Sequence, residues 1–62
     1  MGNCKAKRNV QFKSTDERTM NFIKNNTYRY IFQTDDVIVF DGNGNYVVCN
    51  IDVFDMEFEL LN

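Results

Sequence analysis

The segment DGNGN, which starts at Asp41, contains residue types that could hold a metal ion. Its Asp41, Asn43 and Asn45 match positions 1, 3 and 5 of a calcium-binding loop. Asp52 falls at position 12, but position 6 needs glycine for a sharp turn and is Tyr46 here. Both flanks read as strands, and an Asn-Gly pair between apolar runs is the preferred two-residue hairpin turn. The sequence therefore predicts a hairpin, and it indicates neither a metal site nor a cofactor.

The acidic side chains near the C-terminus are the next candidates for chemistry. Asp55, Glu57 and Glu59 alternate with apolar residues, as the solvent face of a half-buried strand does. A pair of catalytic carboxylates needs two differently perturbed environments, which this alternation does not indicate. The chain has 62 residues and no histidine, and a catalytic pocket needs more supporting structure than so short a chain supplies. We predict that the protein is not an enzyme.

The N-terminus resembles a dual acylation signal, with Gly2 as the myristate acceptor and Cys4 as the palmitate acceptor. That signal has Ser or Thr at position 6, where this chain has Ala6. A peripheral membrane protein acylated at both residues is one alternative function. The basic side chains that would contact anionic lipid in it are Lys5, Lys7 and Arg8.

Charge is divided unequally between the two halves of the chain. Residues 1–31 hold all seven Lys and Arg and two acids, a net charge of +5, whereas residues 32–62 hold seven acids and no cation. Opposite charges can pair across neighbouring strands, or they can form a bipolar surface that binds partners or other copies. A small barrel that binds nucleic acid through cations and stacked aromatics is a second alternative, although the isoelectric point of about 4.8 disfavours it. The residues of that alternative are Lys5, Lys7, Arg8, Lys13, Tyr28, Arg29 and Tyr30.

Alternating apolar and polar residues predict five short strands. We expect residues 1–6 to be a flexible N-terminus with an exposed Cys4 thiol, and Cys49 to be a small buried hydrophobe. The polar segment 14–26 is expected to form either a long loop or a short helical turn that begins with the capping pattern at Ser14. The last strand is expected to point Phe54, Met56, Phe58 and Leu60 inward. The five predicted strands cover residues 7–13, 27–33, 37–41, 46–50 and 54–60.

Five short strands that are neighbours in sequence predict an all-β, antiparallel barrel as a single small domain over residues 1–62. The chain has no apolar run long enough to span a membrane and no apolar segment of a secretion signal in its first 20 residues. We therefore expect a soluble, cytoplasmic protein.

Phe22, Lys24 and Tyr28 lie before and at the start of the second predicted strand, and the hairpin around the DGNG turn follows. This arrangement resembles the small SH3-like barrel proteins encoded by phages and other mobile elements of low-GC bacteria, which often carry an aromatic-x-Lys-Gly-Lys-x-Tyr element at this place. Asn25 and Asn26 replace the Gly and the second Lys of that element. The resemblance covers most of the chain after its first nine residues. It implies a five-stranded SH3-like barrel without catalytic residues, in a small binding or host-modulating protein.

The third and fourth predicted strands are apolar on both faces, and a small barrel has room inside for only one of them. If Asn43-Gly44 is the turn, the outward set would contain Val39, Tyr46 and Val48. An outward apolar patch needs a cover, because monomers rarely leave one exposed. The cover would be either segment 14–26, through Met20, Phe22 and Ile23, or another protein chain.

These observations predict a non-catalytic protein-binding module, of the phage type that inhibits or modulates a host protein in the host cytoplasm. Its partner would be a host protein of defence or nucleic-acid processing, and a homodimer is a further expectation. The predicted contact residues are Val39, Tyr46 and Val48 of the hairpin and Asp55, Glu57 and Glu59 of the acidic strand.

Overall fold

The computed structural model describes residues 2–14 and 16–61. This part of the chain forms a small, mostly β structure with antiparallel strands and one short helix, as the alternation predicts. It contains no helix that is long and apolar enough to cross a membrane. The elements are β1 Gly2–Ala6, β2 Val10–Lys13, β3 Thr19–Phe22, β4 Thr27–Gln33, β5 Asp36–Phe40, β6 Tyr46–Asn50, α1 Ile51–Glu57 and β7 Phe58–Leu60.

Five of the strands form one antiparallel sheet in the order β6-β5-β4-β1-β7, and β2 pairs with β3 in a separate hairpin. The described residues therefore contain seven strands instead of five. The strands β6 and β7 are the two edges of the large sheet, so that sheet is not closed on itself. The β2-β3 hairpin covers the inner face of the sheet, where the ring of Phe22 lies 5.2 Å from that of Phe58 and 4.8 Å from that of Tyr28.

The N-terminus is a central strand, so the expectation of a flexible segment is wrong for its described residues (Met1 lies outside them). β1 pairs with β4 on one side and with β7 on the other. Cys4 and Ala6 point into the core, and Cys4 is 0% exposed, so its thiol is not the exposed one we expected. Burial, together with the nearby Cys49 thiol, raises the pKa of Cys4 to about 11. The inward residues of β1 are small, which is why their alternation gives only a weak apolar signal.

The segment after β2 is neither a long loop nor a helical turn, but the return strand of a hairpin. Phe12 pairs with Met20 and Val10 with Phe22, and Met20 and Phe22 are buried. The Ser14 hydroxyl accepts a hydrogen bond from the Arg18 amide at 3.1 Å, and the Ser14 amide donates to the Arg18 carbonyl at 2.9 Å. The Ser14 hydroxyl, which suggested a helix cap, therefore accepts a backbone amide in a turn instead.

The predicted last strand is wrong over most of its length, because α1 occupies Ile51–Glu57 and β7 begins at Phe58. The Asn50 side chain caps the helix, accepting a hydrogen bond from the Val53 amide at 2.8 Å. Phe54 and Phe58 are buried, but Met56 is 66% exposed and Leu60 is also exposed, contrary to expectation. Alternation at 54, 56, 58 and 60 fits a strand, while the spacing of the two Phe residues fits one helical face equally well.

The β5-β6 hairpin has a five-residue loop, Asp41–Asn45, in place of the predicted two-residue turn. Gly42 and Gly44 have φ of 86° and 88°, and the Asp41 carboxylate accepts hydrogen bonds from the amides of Asn43 and Asn45. The hairpin that we preferred to a calcium loop is thus confirmed, but its register is shifted by one residue. A shift of one turns every side chain of β6 to the opposite face relative to β5. The inward set is therefore Val37, Val39, Val47 and Cys49, and the outward set is Ile38, Phe40, Tyr46 and Val48.

Candidate protein-binding surface

Five apolar side chains lie together on the outer face of β4, β5 and β6, and we call them the outer patch. Ile31, Ile38 and Val48 are paired neighbours across the three strands, and Phe40 and Tyr46 are paired one row further along. The Phe40 and Tyr46 rings pack with centroids 6.1 Å apart. Tyr46 is 56% exposed and Val48 is 51% exposed, while the other three side chains are half-buried.

The outer patch exists because β5 and β6 are apolar at nearly every position. The inward residues fill the core, and the sheet holds their neighbours on the opposite face at fixed spacing. Segment 14–26 does not cover the patch, because its Met20 and Phe22 belong to the core on the other side of the sheet. In the described part of the chain, the patch therefore faces solvent, and hydrating its apolar surface costs free energy.

Polar groups border the outer patch at both ends. Arg29 pairs with Phe40 at one end, and Asp36 pairs with both Gln33 and Asn50 at the other. This arrangement, an apolar centre with a polar rim, is typical of protein-protein interfaces.

A small cavity of about 300 Å³ opens beside Tyr46, between the tip of the β2-β3 hairpin and the β5-β6 loop. Met20, Arg18 and Tyr46 contribute to its walls. The Arg18 guanidinium joins the two loops, because its Nη1 donates to Asn45 Oδ1 at 3.1 Å, and its Nε lies 3.1 Å from the Asp16 carboxylate. The cavity therefore adjoins the outer patch only at Tyr46, and it carries the charged Arg18 side chain in its wall.

The acidic residues predicted to share one strand face are dispersed by α1. Glu57 is only 5% exposed, and its carboxylate accepts from Arg8 Nε at 2.7 Å and Nη2 at 2.8 Å. Hydrogen bonds from Arg8 lower the pKa of Glu57 against the opposing effect of burial. Asp55 is on the exposed side of α1, and its backbone carbonyl accepts from Lys7 Nζ at 2.5 Å. The prediction of an acidic outer strand face, with Glu57 outward, is therefore wrong.

Within residues 2–14 and 16–61, ion pairs join basic side chains of the first half of the chain to acidic side chains of the second. One is the bidentate pair of Arg8 and Glu57, and the other joins Lys5 on β1 to Glu59 on β7, with 3.8 Å between Nζ and Oε1. Of the two interpretations of the charge asymmetry, pairing across the fold accounts for these four residues.

Of the three predicted hairpin contacts, the structure brings Tyr46 and Val48 to the surface and buries Val39. Val39 is 0% exposed, so its predicted outward orientation is wrong. The one-residue register shift replaces Val39 by its neighbours Ile38 and Phe40. The signal in the sequence that could have suggested a longer loop is the second glycine of DGNGN, since Gly42 and Gly44 both adopt positive φ.

The aromatic residues of the nucleic-acid alternative face the core. Tyr30 is buried, and the half-buried Tyr28 accepts a hydrogen bond from the Ile23 amide at 2.8 Å through its hydroxyl. Base stacking needs an open aromatic face, which these two rings do not offer. The cations of this alternative lie on β1, β2, β4 and the loop after β1, and Lys5 and Arg8 are engaged by carboxylates. These two rings are therefore not the open stacking platform that this alternative expects.

The acylation alternative meets a similar obstacle, because Gly2 and Cys4 are residues of the central strand β1. A thiol that is buried, with a raised pKa, is neither accessible nor ionised as acyl transfer requires. Among residues 2–14 and 16–61 there is also no group of three or more side chains arranged to hold a metal ion.

Comparison with protein-family models, curated proteins and solved structures finds no match for this chain.

Proposed function

We propose that this protein is a non-catalytic protein-binding module that contacts its partner through the outer patch. The observation that carries the proposal is the row of outward Ile31, Ile38 and Val48 beside exposed Tyr46, on a face that the described residues leave uncovered. An apolar patch rimmed by polar groups is what a partner desolvates when it binds. Tyr46, next to Arg18 and the adjoining cavity, is the anchor of the contact.

We further propose that the module is a variant of the SH3-like barrel and acts as a phage-type modulator of a host protein. The support for the architecture is the order of elements: a first strand next to the last one, a hairpin between the first strand and β4, and a β5-β6 hairpin. The support for the biological role is the resemblance of Phe22, Lys24 and Tyr28 to the element found in such proteins. The partner is proposed to be a host protein of defence or nucleic-acid processing.

The test is capture of the partner from host cells by tagged protein, with and without nuclease treatment, using three matched chains. The wild type is compared with Ile38→Lys in the outer patch and with Met56→Lys, which makes the same kind of apolar-to-Lys change at an exposed position of α1 outside the patch. We expect one protein to survive nuclease treatment, to bind the purified wild type and Met56→Lys directly, and to lose at least tenfold in affinity for Ile38→Lys.

Two results would overturn the proposal. Equal binding of both variants would show that the partner contacts another surface. Recovery of nucleic acid alone, or of proteins that are lost with it, would favour the nucleic-acid alternative, and binding should then weaken steeply with salt because of counterion release.

A further inference from the structure

The two edges of the five-stranded sheet differ in how well they are protected from pairing with another strand. β7 has only three residues and carries Glu59 at its centre. β6 has five residues, Tyr46–Asn50, with no charged residue and no proline. Charged residues, proline and shortness are the usual protections of an edge strand, and β6 has none of them. In the described part of the chain, β5 is the only strand that pairs with β6.

The backbone groups that β6 offers at this edge can be identified from the hairpin. The Asp41 amide donates to the Asn45 carbonyl at 3.0 Å, which sets the phase of the β5-β6 ladder. Hydrogen-bonded and non-hydrogen-bonded pairs alternate along an antiparallel ladder. The backbone groups of Val47 therefore face β5, and those of Tyr46 and Val48 face the free edge.

An antiparallel copy of β6 matches this edge when Val48 lies opposite Val48 of the second copy. In that register Tyr46 lies opposite Asn50 and Val47 opposite Cys49, and the Asn50 carbonyl also serves as the first acceptor of α1. The outward backbone groups of one copy meet those of the other, and the outer faces of both sheets lie on the same side. No like charges are opposed, because β6 is uncharged and the two Asp36 side chains fall at opposite ends of the seam. The same operation on β7 would place Glu59 against Glu59.

The outer patch of one copy is small compared with the surface that a stable protein complex buries. The largest apolar patch on a typical monomer is about 300–600 Å², whereas each side of a stable complex buries about 800 Å². Five side chains, three of them half-buried, are a patch of the smaller kind. Pairing along β6 places the two patches side by side, with Tyr46 and Val48 of both copies at the seam.

We propose that two copies of this chain pair antiparallel through β6, forming a continuous ten-stranded sheet whose joined outer patches make one partner-binding face. The pairing itself stands on the edge geometry, and only the role of the joined face rests on the proposed function. The second copy is the occupant because the edge is complementary to itself in sequence, backbone phase and charge.

The first test is sedimentation equilibrium of the full chain over a range of concentrations, combined with amide hydrogen exchange. We expect a monomer-dimer equilibrium in which the Val48 amide becomes protected as concentration rises. The Val47 amide is the internal control, because it bonds to β5 and is protected in both states. A protein that stays monomeric up to about 1 mM would overturn the proposal, as would a dimer whose Val48 amide exchanges freely.

Two variants at Val48 distinguish the contribution of its backbone amide from that of its side chain. Val48→Pro removes the amide that faces the free edge, where proline is tolerated in a sheet, and Val48→Leu keeps the amide. We expect the dimer of Val48→Pro to be weakened about 30-fold, since one hydrogen bond is lost from each copy, and that of Val48→Leu to be unchanged. An unchanged Val48→Pro dimer would contradict pairing through β6, provided that circular dichroism shows the variant to be folded.

The Ile38→Lys variant separates this proposal from the proposed function. Ile38 lies on β5, one strand away from the edge, so the variant is expected to dimerise normally and to lose the partner. A monomeric wild type that still binds a partner through Ile38 would refute the dimer alone. A wild-type dimer whose β6 pairing is intact but whose partner binding is insensitive to Ile38→Lys would refute the function alone.

Discussion

The outer face of the five-stranded sheet has one half with polar side chains and one half with apolar side chains. Over β1 and β7, Lys5 and Glu59 face each other as an exposed ion pair, and Asn3 lies beside them. Over β4, β5 and β6, the central outward positions hold the five apolar residues of the outer patch, and polar residues border them at both ends. The backbone is the same antiparallel sheet in both halves, so the difference lies in the side chains alone. Function is therefore expected in the half whose side chains gain free energy when water leaves.

The largest expected effect comes from placing the same charge on the inner and on the outer face of the β5-β6 hairpin, one face at a time. Val39→Glu places an unpaired carboxylate in the core and should cost more than about 4 kcal/mol, which is close to the whole stability of a domain of this size. Val48→Glu, on the outer patch, should change the free energy of unfolding by less than about 0.5 kcal/mol at low protein concentration. Urea denaturation followed by circular dichroism measures both. Similar costs for the two variants would mean that the outer patch is not a solvent-facing surface.

The buried carboxylate supplies the next largest effect. Arg8→Met removes the hydrogen-bond donors of Glu57 and leaves its carboxylate buried without them, so the melting temperature at pH 7 should fall clearly. Because the pKa of Glu57 is lowered in the folded protein, its protonation favours the unfolded state. The contribution is complete above about pH 4.3, the ordinary value for Glu, and is lost as the pH falls through the lower folded value. Thermal melts between pH 2 and 7 should show a smaller acid-dependent loss in Arg8→Met than in the wild type.

The helix cap should contribute an intermediate amount. Asn50→Ala removes the side-chain acceptor of the Val53 amide and should cost about 1 kcal/mol, whereas Asn50→Asp, which keeps an acceptor, should cost less. The cap matters to the comparison because α1 connects the apolar edge strand β6 to the polar edge strand β7. Denaturation midpoints of the two variants measure it, and equal losses would show that the cap is not what holds the helix start.

The smallest effect is expected in the polar half of the outer face. Lys5→Met breaks the exposed pair with Glu59, and exposed pairs contribute about 0–1 kcal/mol. The change in the free energy of unfolding should be near the low end of that range and should shrink further in 1 M salt. A loss that equals that of Arg8→Met would contradict the distinction between the exposed and the buried ion pair.

Several strands could be predicted because their local pattern has one interpretation. β4 and β6 have the predicted bounds, 27–33 and 46–50, since aromatic and β-branched residues alternate there between turn residues. The helix α1 was missed because Phe54 and Phe58 fit both a strand face and a helix face. The neighbouring Asn50, a favoured helix cap, was the signal that could have decided between them.

The sequence predicted that an outward apolar patch exists, but it did not predict all of the residues that form it. The apolar excess of β5 and β6 required an outward patch, and Tyr46 and Val48 are in it. Val39 was assigned to it wrongly because the hairpin loop has five residues instead of two, and the odd difference moves each side chain of β5 to the other face relative to β6.

By itself, the sequence determined the strand-rich class, the absence of catalytic histidine chemistry, and the fact that more apolar surface exists than one side of a sheet can bury. These properties follow from composition and short-range alternation, which need no knowledge of distant neighbours. Only the tertiary structure decided that β1 enters the sheet between β4 and β7, that Glu57 is buried against Arg8, and which face of β6 meets solvent. Each of those depends on pairing between residues far apart in the chain, where a single step of register reverses inside and outside.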